Sequence, residues 1–173
     1  EVTGEIDSRV VTAVEGEAPI QLFDSFDNDD GTDLAAHTPD IDVNGQGWVV
    51  LNGSMALISG ACNTQAANSH ASIDIGIMDV DIGEQVFIFD EWAGFSLRVQ
   101  DHDNCIVAYL HVNGTMEIGE FVGGVYATLN SSTGHTVGYQ QTHDVRVTQV
   151  GDDITLYFDG AELSATTSRF LGV

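Results

Sequence analysis

The sequence contains no lysine, and its basic side chains are four arginines, Arg9, Arg98, Arg146 and Arg169. Phosphate recognition needs clustered cations, so nucleic acid is disfavoured as a partner, and anionic membrane surfaces with it. No apolar run reaches the roughly 18 residues of a spanning helix, which argues against membrane insertion. Helical periodicity is almost missing as well. Cysteine occurs twice, at Cys62 and Cys105, without the Cys/His spacing of a zinc site. The first residues, Glu1 to Asp7, are acidic where a signal peptide would be basic, and the chain does not begin with Met. The expectation is a leader already removed or a segment of a longer product.

What is abundant is acid. Asp and Glu number 27 and the formal net charge is −23, yet 43% of residues are apolar. Disorder requires low hydrophobicity as well as high charge, so this is a folded domain with an acidic surface. The acidity fits either salty or calcium-rich surroundings or solubility through self-repulsion. A length of 173 residues suits one domain with one core.

Short β-branched and aromatic runs recur between Gly, Asn and Asp turns, the pattern of an all-β antiparallel two-sheet sandwich. Strands are expected over 47–52, 55–59, 71–78, 85–89, 94–100, 106–113, 115–122, 126–130, 143–150 and 153–158. The isoleucines of Ser72-Ile73-Asp74-Ile75-Gly76-Ile77 alternate with small or polar residues, as in a half-buried strand. Gly151-Asp152-Asp153 marks a hairpin turn between 145 and 158. Residues 1–20 read as an N-terminal arm or linker strand, with Val10, Val11 and Val14 on a β-like run before the breakers Glu15 to Pro19, and residues 21–173 read as the sandwich.

Five carboxylates, Asp24, Asp27, Asp29, Asp30 and Asp33, fall within ten residues, together with Asn28. Hard cations take oxygen ligands from such compact loops, which makes this segment the candidate calcium site and calcium the candidate cofactor; a solvated turn is the alternative. Three sequons start at Asn52, Asn113 and Asn130, each in a turn-like context. They point outside the cell, where Cys62 and Cys105 would form a disulfide; two separately buried thiols are the alternative. His37, His70, His102, His111, His135 and His143 show no i, i+2 or i, i+4 pairing for a transition metal.

From Leu22 onward the order of motifs resembles the concanavalin A-like lectin and glucanase superfamily, in particular its laminin-G-like jelly-roll modules of secreted, adhesive and phage structural proteins. The carrying residues are Leu22-Phe23-Asp24-Ser25-Phe26, Asp30-Gly31-Thr32-Asp33-Leu34, His37-Thr38-Pro39-Asp40 and Trp48, then Gly94 to Asp101 leading into Asn104 to Tyr109, then His143 to Val147 and Leu156 to Gly160. The resemblance implies a jelly roll with Phe23, Phe26, Trp48, Leu97, Val99, Val107 and Tyr109 in its core. It also implies a closing strand after Ser168–Val173 that this sequence does not contain, leaving an edge that the arm would fill in its own sheet or a neighbour's.

Sugar binding in that superfamily uses exposed aromatics with Asn and Asp, which singles out Trp92, with Tyr126 and Tyr139 as companions. Its glucanases carry Glu-x-Asp-x-x-Glu, with two carboxylates about 5.5 Å apart. The nearest match, Asp79-Val80-Asp81-Ile82-Gly83-Glu84, begins with Asp and carries Gly83, so it is expected to be a solvated loop and no catalytic residue is assigned. No Gly-x-Ser-x-Gly elbow occurs. The sequence thus reads first as a non-catalytic structural or adhesive subunit of an extracellular, cell-surface or virion-surface assembly that associates with copies of itself through the arm. A monomeric module binding surface glycans is the alternative, and a glycoside hydrolase the remote one.

Overall fold

A computed structural model of the chain describes residues 5–7, 22–26, 31–58, 61–64, 69–74, 76–77, 79–88, 92–138 and 141–170. The described residues are almost wholly β. The strands are β1 (Glu5–Asp7), β2 (Leu22–Phe23), β3 (Ile41–Asp42), β4 (Val49–Asn52), β5 (Met55–Ile58), β6 (Ala61–Thr64), β7 (His70–Ser72) and β8 (Val80–Ile88). They continue as β9 (Trp92–Asp101), β10 (Asn104–His111), β11 (Thr115–Val122), β12 (Val125–Ser132), β13 (Gln141–Val150), β14 (Asp153–Phe158) and β15 (Ala161–Thr166). A single 3-10 turn spans Leu34–Ala36 among these residues.

Two antiparallel sheets make the sandwich. One runs in the order β15, β14, β13, β8, β1, β6, β5, and the other in the order β12, β11, β10, β9. Alternation fixes their facing sides. In β13 the side chains of His143, Val145, Val147 and Gln149 are buried while Asp144, Arg146 and Val150 are exposed. In β10 Ile106, Ala108 and Leu110 point inward, and they meet Met116 and Ile118 of β11 and Ile154, Leu156 and Phe158 of β14 in the main core. A second cluster joins Phe26, Leu34, Met55, Leu57 and Cys62, with Trp48 packed against it.

The hairpin turns use residues suited to them. Gly123 and Gly124 both have positive φ, 57° and 77°, as do Asp159 and Gly160 at 45° and 82°, the requirement of a two-residue turn that matches strand twist. The expected 145–158 hairpin forms, Val150 pairing with Asp153 across Gly151 and Asp152.

Several expectations are corrected. The strand expected over 71–78 stops early: β7 ends at Ser72, Gly76 takes a left-handed φ of 70°, and Ile77 is exposed. The segment 79–84 is not a loop, because 80–84 open β8 and pair with β13 from Val145↔Glu84 to Gln149↔Val80. Of the expected core, Phe26, Leu97 and Val107 are buried, whereas Phe23, Trp48, Val99 and Tyr109 are half-buried. Tyr109 sits at an odd position of β10, opposite in parity to the inward Ile106, Ala108 and Leu110, and so lies on the outer face. Within the arm, Glu5–Asp7 is flanked by β6 and β8 of its own chain; Val10, Val11 and Val14 lie outside the described residues.

Candidate functional site

The outer face of the four-stranded sheet carries a row of rings assembled from different strands. Trp92 opens β9, and its register partner on β10 is His111. Its ring stands edge-on to Tyr109 and to His111, with centroids 4.4 Å and 4.5 Å away. Tyr109 is stacked at 6.4 Å with Tyr126 of β12, which in turn tilts against Phe121 of β11 at 5.0 Å. Trp92 keeps 51% of its surface exposed, a large indole left in water on an open sheet.

Two glycines make room for these rings. A Cβ on Gly119 would lie 2.2 Å from Tyr126 Oη, and one on Gly94 would lie 2.2 Å from the Ala108 carbonyl oxygen and 2.6 Å from Tyr109 Cα. Glycine in a strand interior often marks a close approach of this kind.

Glu117 of β11 is the polar centre of the row. Its Oε1 accepts from Thr128 Oγ1 at 2.9 Å and from Tyr126 Oη in a very short bond, while Tyr109 donates its one hydroxyl hydrogen to Tyr126 Oη at 2.7 Å, with Glu117 Oε1 as a second, longer acceptor at 3.2 Å. Oε2 accepts nothing from the described residues, which leaves one carboxylate oxygen open for a ligand. Burial, the neighbouring phenol and Glu117 push the Tyr109 hydroxyl far above its ordinary range, and burial with Glu117 pushes Tyr126 up to about 12. Both phenols therefore remain protonated donors throughout the neutral range. Flat rings beside fixed hydroxyls and a free carboxylate oxygen can stack on a sugar ring and bond its hydroxyls.

Of the aromatics named from sequence, Trp92 and Tyr126 meet on this face through Tyr109, and Tyr139 lies outside the described residues. Glu117 and Thr128 were not singled out, and Tyr109 was expected in the core. Their signal was the pairing of β10 with β11, which sets Tyr109 directly across from Glu117.

The remaining candidates are placed elsewhere. Asp24 is a buried cross-link: Oδ1 accepts from Phe26 N at 2.9 Å and lies 2.8 Å from His37 Nε2, and Oδ2 accepts from Trp48 Nε1 at 2.6 Å. Both its oxygens face protein donors. Asp33 is exposed, Asp27, Asp29 and Asp30 lie outside the described residues, and no group of three metal-ligating side chains occurs among those described. Of the glucanase-like carboxylates, Asp79 is engaged by the Gly151 amide at 2.8 Å and Asp81 by a bidentate pair with Arg146 at 2.6 and 2.5 Å. His70 and His102, far apart in sequence, come together with Nδ1 atoms 3.4 Å apart.

Cys62 and Cys105 are buried on β6 and β10 and are not joined as a disulfide; burial and the nearby Asp101 and Asp103 push the Cys105 thiol up to about 11. Of the sequon asparagines, Asn113 is exposed at the β10–β11 turn, Asn52 is half-buried at the end of β4, and Asn130 donates to the Ser164 carbonyl at 2.7 Å.

No protein-family model matches the chain, and no curated protein matches it by sequence. Among solved structures it is similar to a carbohydrate binding module, CBM66 from Bacillus subtilis, with a TM-score of 0.64 and 18% identity over 72% of this chain and 82% of that one. At that identity the likeness speaks to fold, and the chain shares its β-sandwich with that module without being assigned to a particular superfamily.

Proposed function

We propose that the chain is a non-catalytic glycan-binding module, with the outer face of the four-stranded sheet as its binding surface. The observation that carries this reading is the convergence of Trp92, Tyr109, Glu117 and Tyr126 from four strands onto one open face, with Glu117 Oε2 unoccupied by any described donor. That a similarly folded chain is named a carbohydrate binding module supports it. Arm-mediated self-association has no comparable support: Glu5–Asp7 is paired on both sides within its own chain, which leaves that backbone no free edge.

The test is calorimetric titration of the protein with a panel of oligosaccharides, repeated on Trp92→Ala and Tyr126→Phe. Trp92→Ala should weaken binding at least tenfold, about 1.4 kcal/mol, with an unchanged circular dichroism spectrum. Tyr126→Phe removes a donor to Glu117 while keeping the ring, and should weaken it less. Undiminished binding by Trp92→Ala would move the site off this face.

A further inference from the structure

Resting on the glycan reading, we infer that the face is selective for sugars bearing a protonated amine, an unacetylated hexosamine unit, over acetylated or acidic ones. The argument is one of local charge. Three hydroxyls crowd onto Glu117 Oε1, and a carboxylate with its second oxygen open is half of an ion pair. Beside it stand the rings of Tyr109 and Tyr126, with Trp92 packed against Tyr109, and the negative π-faces of such rings attract cations within about 6 Å.

No described arginine competes for that carboxylate. Arg98 is committed to the carbonyls of Thr167, Arg169 and Gly151, Arg146 to Asp81 and Arg169 to Glu120. Among the described residues of the row, the one basic side chain is His111, and its Nδ1 accepts from the Asn113 amide at 3.0 Å. The net charge of −23 adds a long-range field of the same sign, which attracts amines and repels uronic acids. An acetylated amine has no charge to place on Oε2 and a bulkier group to fit beside it.

The experiment compares a short glucosamine oligomer, its N-acetylated counterpart, an oligogalacturonide of equal length and trilysine, each titrated into the full chain in buffer acidic enough to protonate the amine. The expected result is that the free-amine sugar binds about tenfold more tightly than the acetylated one, the oligogalacturonide binds most weakly, and Glu117→Gln brings the ratio of the first two close to one. Trp92→Ala should lose the amino sugar, which separates stacking from nonspecific attraction. Equal binding of the two hexosamine oligomers, an unchanged ratio in Glu117→Gln, or trilysine binding as tightly as the amino sugar overturns the amine selectivity. In the first two cases the glycan site itself still stands. Binding of none of the sugars overturns both.

Discussion

Gly94 and Gly119 belong to the aromatic face as much as its rings do, and substituting them separates what shapes the site from what holds the sheet. In Gly119→Ala the new methyl meets the hydroxyl end of Tyr126, a group that can swing away. The expected outcome is a fold weakened by about 1 kcal/mol and a sugar affinity reduced at least as much as by Tyr126→Phe, because Tyr126 leaves Glu117. In Gly94→Ala the methyl meets the backbone of Ala108 and Tyr109, which cannot yield without parting β9 from β10. That variant should lose about 2–3 kcal/mol in urea unfolding. Gly83→Ala, with nothing within 4 Å, should gain about 0.4–1 kcal/mol by stiffening the unfolded chain. Trp92 was legible in the sequence because an indole between strands, flanked by acids, has no obvious core partner. Tyr109 was not, since it alternates with Ile106, Ala108 and Leu110, and only the parity of β10 reveals that it faces outward.

At the level of elements, local chemistry was readable and non-local pairing was not. The β13–β14 hairpin was visible in its turn residues, but the start of β8 was hidden, because Asp79 and Asp81 read as loop until β13 brings Arg146 and the Gly151 amide to them. The reverse failure at Ile73–Ile77 has a local cause: Asp74 Oδ1 accepts from Gly76 N at 2.8 Å, closing a turn inside an alternating pattern. Arg98 also acts between elements. It has a left-handed φ of 49° at the β9 irregularity, and its guanidinium joins β9 to the β13–β14 turn and to the segment after β15. Arg98→Ala strips three carbonyls of a charged donor and should cost about 2–3 kcal/mol, with amide exchange rising first around residues 167–170. The histidine pair couples β7 to the β9–β10 turn. Burial first, and His102 second, lower the His70 pKa, so the folded chain favours the neutral ring. That contribution is complete above the unfolded value of about 6.5 and is lost as pH falls from there toward the lower folded value, where the unfolded state takes up the proton first. Urea midpoints should therefore drop more steeply below that pH in the native chain than in His70→Asn, whereas His102→Asn should remove only part of the difference.

For the whole molecule, charge has a consequence that no single contact contains. With 27 acids against four arginines, self-repulsion opposes the compact state at every pH where the carboxylates are ionised. Screening shortens the reach of that repulsion from about 10 Å at 0.1 M salt to about 3 Å at 1 M. The melting temperature should consequently climb through this range, by a similar amount in sodium and potassium chloride, without saturating at low concentration. A calcium site in the acidic segment after β2 would behave differently, giving a saturable rise at low calcium that a chelator reverses at constant ionic strength. Because the two oxygens of Asp24 hold His37, Phe26 and Trp48, substituting Asp24 should also loosen the second core cluster, so the calcium test is read on the native chain with and without chelator. Screening also distinguishes the two layers of the proposed amine selectivity. The long-range field of the surface disappears at high salt, but an ion pair on Glu117 lies among half-buried rings where salt screens less effectively. The preference for the free-amine sugar should thus narrow between 0.1 and 1 M salt without vanishing in the native chain. In Glu117→Gln, where only the field remains, whatever small preference is left should vanish.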